Sequence, residues 1–141
     1  MSIVIVDIDG TLSDSRHREP LIETHGWDAF HAASPADAPI QPVIALLRNG
    51  SNLIMALTGR PEKYRAITNR WLVEHDVPID LLLMRPDNDY RSAADVKRDL
   101  LLFQFQDEAT IRDRVVFALE DNAKVVEVLR GLGILTLQVH L

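Results

Sequence analysis

The chain has 141 residues, a formal net charge of −6, a sequence pI near 5.3 and no cysteine. This length fits one domain, residues 1–141, and a hydrophobic fraction of 47% is typical of a folded chain rather than a disordered one. The missing cysteines exclude disulfides and thiolate chemistry, and the acidic balance argues against binding long nucleic acid through many phosphate contacts. No apolar run is long enough to span a bilayer, so we expect a cytoplasmic protein with no membrane partner.

Strand-like and helix-like segments alternate along the chain. Apolar runs predict strands at 3–6, 52–57, 79–84, 114–119 and 134–139. The segments between them predict helices at 41–49, 61–75, 93–106 and 123–132. Apolar strands that alternate with helices are typical of βαβ units. The predicted fold is therefore α/β, with a doubly wound, Rossmann-like parallel sheet of about five strands.

Residues 13–39 do not follow this alternation. They contain three histidines and only a short helical pattern at 27–33. The helical spacing of Trp27 and Phe30 favours packing over base stacking. The histidines lack the spacing of metal ligands, so we exclude them from the predicted metal site.

Polar residues follow three of the predicted strands. Asp7 and Asp9 end the first strand, Thr58, Gly59 and Arg60 end the second, and Glu120 and Asp121 end the fourth. Open parallel sheets bind ligands beyond the carboxyl ends of their strands, so these groups are expected to converge. Two carboxylates on one face of a strand repel each other unless a cation or hydrogen-bond donors offset their charge. The pattern therefore indicates a site.

These residue types suit phosphoryl transfer. Asp7, Asp9 and Asp121 supply the hard oxygen ligands that Mg²⁺ prefers. Thr58 offers a hydroxyl where we expect a helix to begin, and helix N-termini favour anions. Lys97, in the third predicted helix, can offset the charge of a phosphoryl group. A carboxylate nucleophile beside a metal predicts an aspartyl-phosphate mechanism.

The sequence resembles the haloacid-dehalogenase-like (HAD) phosphohydrolases. DIDGT matches the first motif of that family, the threonine of LTGR the second, Lys97 the third, and Glu120-Asp121 the fourth. More narrowly, TGRPEKYRAITNRWL, MRPDNDYRSAADVKRDLL and ALEDNAKVVEVLRGLGI look like the 3′-phosphatase domain of bacteriophage-type polynucleotide kinase.

The resemblance implies a role for each matching residue. Asp7 would be the nucleophile, and Asp9 the general acid and base, with its backbone carbonyl on Mg²⁺. Thr58 and Lys97 would hold the phosphoryl oxygens, and Asp121 would complete the metal shell.

Further substrate contacts, and two departures, also follow from the resemblance. Arg60, with Gly59 beside it, and Arg18 match positions that surround the phosphate in the polynucleotide 3′-phosphatases. That subfamily tends to carry an acidic residue one helical turn before the motif-three lysine, where this chain has Ala93. The fourth motif is followed by Asn122, where the phage-type domain has a basic residue.

The implied substrate is a phosphomonoester. The chain leaves no room for a large cap domain, so its open site would admit a 3′ end of DNA or RNA as well as a nucleotide. Three alternatives stay open at this stage: a phosphatase of free nucleotides or another small phosphomonoester, a catalytically inactive module that binds phosphate or nucleic acid, and a receiver-type signalling domain. The receiver is disfavoured because the third predicted strand ends in Met84 and Arg85 rather than in an acceptor aspartate.

Overall fold

Seven strands and seven helices make up the computed structural model, which describes residues 2–141. The strands are β1 (Ile3–Val6), β2 (Ser13–Asp14), β3 (Ala38–Pro39), β4 (Leu53–Pro61), β5 (Leu81–Arg85), β6 (Val115–Glu120) and β7 (Thr136–Gln138). The helices are α1 (Leu21–His25), α2 (Trp27–Ala32), α3 (Gln41–Arg48), α4 (Arg65–Glu74), α5 (Ala93–Phe105), α6 (Glu108–Arg114) and α7 (Ala123–Gly131). None of the helices in residues 2–141 combines the length and the hydrophobicity needed to cross a membrane.

Five strands form one parallel sheet in the order β5-β4-β1-β6-β7. The predicted fold class is thus confirmed, and no separate cap domain appears among the described residues. Because β1 lies between β4 and β6, the residues that follow these three strands meet at the carboxyl edge of the sheet. β2 and β3 form a small antiparallel pair outside the main sheet.

Both faces of the sheet are buried. Alternate residues of β1 enter different cores, because successive strand side chains point to opposite faces. Val4 and Val6 pack with residues of α3 and α4, including Trp71, while Ile3 and Ile5 pack with α5, α6 and α7. This arrangement explains why the strands read as continuous apolar runs rather than as alternating ones.

The boundary between β4 and α4 differs from the prediction. Pro61 has extended geometry (φ −63°, ψ 149°) and ends β4, so the predicted helix start at residue 61 is wrong. A 3₁₀ turn, Glu62–Tyr64, comes first, and α4 begins at Arg65. The φ of proline suits a helix start and an extended strand equally well, so the sequence alone does not distinguish them. Thr58 consequently lies inside β4, not at a helix N-terminus.

Two segments contain more structure than the sequence pattern indicated. The side chain of Asp107 accepts a hydrogen bond from the backbone N–H of Thr110 (2.7 Å) and caps α6, an element that we had not separated from the loop before β6. Residues 13–39 contain α1, α2 and the strands β2 and β3. In α2, Phe30 is buried as predicted, but Trp27 is 61% exposed, so the packing prediction is wrong for Trp27.

Candidate active site

A buried lysine links two acidic residues at the carboxyl edge of the sheet. Nζ of Lys97, on α5, donates to Oδ1 of Asp7 at 2.8 Å and to Oε2 of Glu120 at 2.7 Å. The hydroxyl of Thr11 donates to the other oxygen of Asp7 at 3.2 Å. All four residues are at least 95% buried. The carboxylate of Asp7 is therefore held in one orientation by a cation and a hydroxyl.

One cation serves both carboxylates in this cluster. Burial disfavours the charged ammonium of Lys97, but Asp7 and Glu120 outweigh this effect and raise its pKa above the usual range. Burial and the charge of Asp7 in turn raise the pKa of Glu120, although Lys97 opposes that shift. Lys97 is consequently charged and is the shared partner of two acidic side chains.

Asp121 adds a third carboxylate. Asp7, Glu120 and Asp121 each offer an oxygen, and these oxygens lie within 4.8 Å of one another. Burial and the neighbouring negative charges raise the pKa of Asp121. Gly10 makes room for this group, because its φ is +83° and a Cβ there would lie 2.2 Å from Oδ2 of Asp121. Hard oxygens that repel one another fit a divalent cation such as Mg²⁺.

Asp9 lies in a second, cationic cluster. The guanidinium of Arg60 donates to Asp9 through Nη2 at 2.7 Å and Nε at 3.0 Å, and Arg18 donates to the same carboxylate. Burial disfavours the ionised carboxylate, but the two arginines outweigh it and lower the pKa of Asp9 to about 2. Asp9 is therefore ionised in this structure, in contact with two buried guanidinium groups.

Asp37 orients Arg18, and the sequence pattern did not indicate Asp37. Nε and Nη2 of Arg18 donate to the two oxygens of Asp37 at 2.8 and 2.7 Å, and His17 contacts the same carboxylate at 2.7 Å. Arg60 is fixed separately, by donation to the hydroxyl of Thr68 at 3.1 Å. Asp37 precedes a two-residue strand in an irregular segment, so neither periodicity nor a motif marked it.

Thr58 and Gly59 lie on β4 beside these clusters. The hydroxyl of Thr58 is fully buried and accepts a hydrogen bond from the backbone N–H of Arg60 at 3.1 Å. The carbonyl of Gly59 accepts from Nε of Arg85 at 2.7 Å. Arg85 is a second residue that the sequence analysis did not single out.

The eight predicted site residues thus fall into three adjacent groups. Asp7, Lys97 and Asp121 share the acidic cluster, Asp9, Arg60 and Arg18 share the cationic cluster, and Thr58 and Gly59 lie on β4. A carboxylate oriented by a lysine, beside a place for a cation and close in sequence to a carboxylate that contacts two fixed guanidinium groups, suits the chemistry of an anionic phosphorus centre.

Comparisons with known proteins identify the family of this chain. A family model described as "Polynucleotide kinase PNKP phosphatase domain" matches residues 1–141. Two solved structures, of a Pnkp1/Rnl/Hen1 complex and of the Pnkp1/Rnl/Hen1 RNA repair complex, contain chains that are 31% and 32% identical to this one, each with a TM-score of 0.80. Both alignments cover 98% of this chain but only 45% and 42% of the other chains, so this chain spans less than half their length.

A more distant structure shows the same fold. A HAD family enzyme from Bacteroides thetaiotaomicron, solved in complex with magnesium and inorganic phosphate, is 13% identical with a TM-score of 0.55. That alignment covers 98% of this chain and 93% of the other. No sequence among the curated proteins matches significantly.

Proposed function

Because the chain belongs to the polynucleotide kinase phosphatase family of HAD phosphatases, we propose that it is a Mg²⁺-dependent phosphomonoesterase that removes 3′-phosphates from DNA or RNA ends or from nucleotides. The observation that carries this proposal is the contact of Lys97 with both Asp7 and Glu120. It holds a nucleophilic carboxylate beside a buried cation at the edge where open parallel sheets bind ligands.

In the proposed first step, a carboxylate oxygen of Asp7 attacks phosphorus. The bond from phosphorus to the ester oxygen breaks, and the leaving alcohol takes a proton from Asp9. Lys97 and Thr58 would hold phosphoryl oxygens, and the charge of Lys97 would offset the negative charge on the equatorial oxygens. The step ends with an aspartyl-phosphate at Asp7 and a free alcohol.

In the second step, water attacks the phosphorus of phospho-Asp7. Asp9, now ionised, takes the proton from that water, and the acyl-phosphate bond breaks to give inorganic phosphate and the Asp7 carboxylate. Asp9 therefore needs a proton at the start of each cycle. The contacts of Asp9 with Arg60 and Arg18 oppose protonation, so we expect an anionic substrate to compete with Asp9 for these two cations.

The oxygens of Asp7 and Asp121, with the backbone carbonyl of Asp9, would hold Mg²⁺. The fit rests on the acidic cluster, in which the absent side chain of Gly10 lets the carboxylate of Asp121 approach the backbone closely. When bound, the ion supplies charge neutralisation for the phosphoryl oxygens and for the acidic residues.

The substrate proposal rests on the family and on the lack of a separate cap domain among the described residues. One of the related chains comes from a structure described as an RNA repair complex, which favours a phosphorylated polynucleotide end. The cationic cluster of Arg60 and Arg18 would bind the phosphate without any requirement for one sugar.

Release of inorganic phosphate over a panel of substrates tests the proposal. The panel contains 3′-phosphorylated DNA and RNA oligonucleotides, the corresponding 5′-phosphorylated oligonucleotides, 3′- and 5′-nucleotides, and a sugar phosphate. The 3′-phosphorylated substrates should give the highest kcat/KM, and Asp7→Asn should release no phosphate from any of them. Equal rates on all substrates would contradict the 3′ specificity, and full activity of Asp7→Asn would contradict the mechanism.

A further inference from the structure

An exposed tryptophan lies beside the cationic cluster. Trp27, on α2, is 61% exposed, although a large aromatic side chain on a short helix usually packs inward. One face of its indole stacks on His31, with a centroid distance of 5.9 Å and an interplanar angle of 26°. The indole and the Phe30 ring are nearly perpendicular (88°), with their centroids 5.6 Å apart. Most of the indole surface is therefore solvent-exposed, although the ring contacts His31 and Phe30.

The same aromatic cluster reaches the phosphate-binding residues of the proposed site. The guanidinium of Arg18 lies 4.2 Å from the centroid of the Phe30 ring and donates to the Phe30 carbonyl at 3.0 Å. Arg18 also contacts Asp9 directly. Phe30 therefore contacts both the exposed indole and a guanidinium that contacts the proposed general acid.

The position of α2 is fixed from the opposite side as well. Lys63 forms an ion pair with Asp28 at 2.8 Å, and the hydroxyl of Tyr64 donates to the same carboxylate. Tyr64 also packs against His31, with ring centroids 5.2 Å apart. Because the 3₁₀ turn with Lys63 and Tyr64 directly follows β4, these contacts join α2 to the strand that carries Arg60.

His31, the residue on which the indole stacks, keeps an unpaired nitrogen in the protein interior. It is 7% exposed, and its Nδ1 atom is buried without a hydrogen-bond partner among the described residues. An unpaired buried nitrogen costs stability that a phenylalanine would not. Burial, together with the charges of Arg60 and Arg18, lowers the pKa of His31 to about 4, so the ring is a neutral support for the indole near pH 7.

We propose that Trp27 is a stacking platform for the nucleobase of the substrate, adjacent to the phosphate held by Arg18 and Arg60. This inference rests on the proposed phosphatase function and deepens it, because it makes a nucleoside part of what the site recognises. Any nucleobase can stack on an exposed aromatic ring. The platform would therefore favour substrates that carry a nucleobase over those that do not, without a preference for sequence.

Steady-state kinetics on two substrates, one with a nucleobase and one without, test this proposal. The probes are adenosine 3′-monophosphate and glycerol phosphate, compared by the ratio of their kcat/KM values. Trp27→Ala should lower this ratio by roughly 5- to 100-fold, the range expected for the loss of one base stack. Trp27→Phe, which keeps an aromatic ring, should retain most of the ratio. Phe103→Ala is the matched control, because Phe103 is an exposed aromatic residue (89%) on α5, away from α2.

Fluorescence separates failure of this inference from failure of the phosphatase proposal. The other tryptophan, Trp71, is 2% exposed, so quenching by a stacked base should come from Trp27. Adenosine 3′-monophosphate should quench the wild-type protein, whereas glycerol phosphate should not, and Trp27→Phe should lose the quenching. This fluorescence result would support the platform even if neither probe is hydrolysed. Absence of hydrolysis would count against the phosphatase function and not against the platform.

Two results would overturn the platform itself. The first is a ratio of kcat/KM values in Trp27→Ala equal to that of the wild type, including the case in which both probes slow by the same factor. The second is quenching by adenosine 3′-monophosphate that persists in Trp27→Phe.

Discussion

Nζ of Lys97 lies 2.7 Å from Oε2 of Glu120, and both side chains are buried. Lys97 comes from α5, whereas Glu120 is the last residue of β6. The position one helical turn before Lys97 is Ala93, which cannot orient an ammonium group. Glu120 therefore holds Lys97 against Asp7 from the sheet rather than from the helix.

Replacing Glu120 should lower activity more than stability. Glu120→Gln keeps the size of the side chain but removes the negative charge that orients Lys97. We expect kcat to fall roughly 10- to 100-fold, as for other residues that orient a ligand or catalytic group. Because Asp7 still pairs with the ammonium of Lys97, and the amide oxygen of glutamine can still accept a hydrogen bond, the free energy of unfolding, measured by urea denaturation, should change little. Glu108→Gln, at an exposed position on α6, should leave kcat unchanged. Equal kcat values for the two variants would contradict the orienting role.

Removal of divalent metal should abolish turnover. Asp7, Glu120 and Asp121 repel one another, and a bound cation relieves that repulsion. A chelator should therefore stop phosphate release, and Mg²⁺ should restore it. Thermal denaturation gives an independent readout: Mg²⁺ should raise the Tm of the wild-type protein and of the exposed control Asp99→Asn, but not that of Asp121→Asn. Full turnover in excess chelator would contradict the metal site.

Asp9→Asn tests the acid and base role. The substitution keeps the size of the side chain but removes the transferable proton, so kcat should fall by about 10²–10⁴-fold. Substrate binding should persist, because Arg60 and Arg18 are released from the charge of Asp9. Single-turnover rates, with binding measured by calorimetry, would separate these effects. A variant that turns over at the wild-type rate would remove Asp9 from the mechanism.

Gly10→Ala tests the close approach of the Asp121 carboxylate to Gly10. The new Cβ would lie 2.2 Å from Oδ2 of Asp121, and the positive φ of Gly10 adds backbone strain. We expect the variant to lose about 1–3 kcal/mol of unfolding free energy and to bind Mg²⁺ more weakly. Gly131→Ala is the control, because nothing lies within 4 Å of its Cβ position and it ends α7. If Gly10→Ala behaves like Gly131→Ala in denaturant and in Mg²⁺ titration, the close approach is not important.

The fold and much of the site followed from local patterns in the sequence. β1 was predicted with its observed bounds, and the predicted order of strands and helices gave the parallel sheet. Asp7, Thr58 and Asp121 were singled out because they end or follow buried strands, and parallel topology brings such ends together. Lys97 was placed at the same edge of the sheet as Asp7, but their hydrogen bond, which spans 90 positions, was not predicted.

The remaining features depend on tertiary contacts that no local pattern encodes. Asp37 became visible only through its bonds to Arg18, which lies 19 positions earlier. Thr58 was placed at a helix start because proline at position 61 is compatible with both a strand and a helix. Trp27 was predicted to pack because it shares helical spacing with Phe30. That spacing does not reveal which of the two residues a neighbouring element will cover.

The central claim is that Asp7 takes the phosphoryl group from the substrate, and trapping the intermediate tests it most directly. A substrate with a radiolabelled 3′-phosphate would be mixed with excess protein and Mg²⁺, quenched rapidly in acid and digested, and the labelled peptide would be located by mass spectrometry. We predict a transient label on Asp7 whose rates of formation and decay are at least as fast as the rate of phosphate release. Asp7→Asn should give no labelled protein. Phosphate release without labelled protein at any time, together with activity in Asp7→Asn, would contradict the claim.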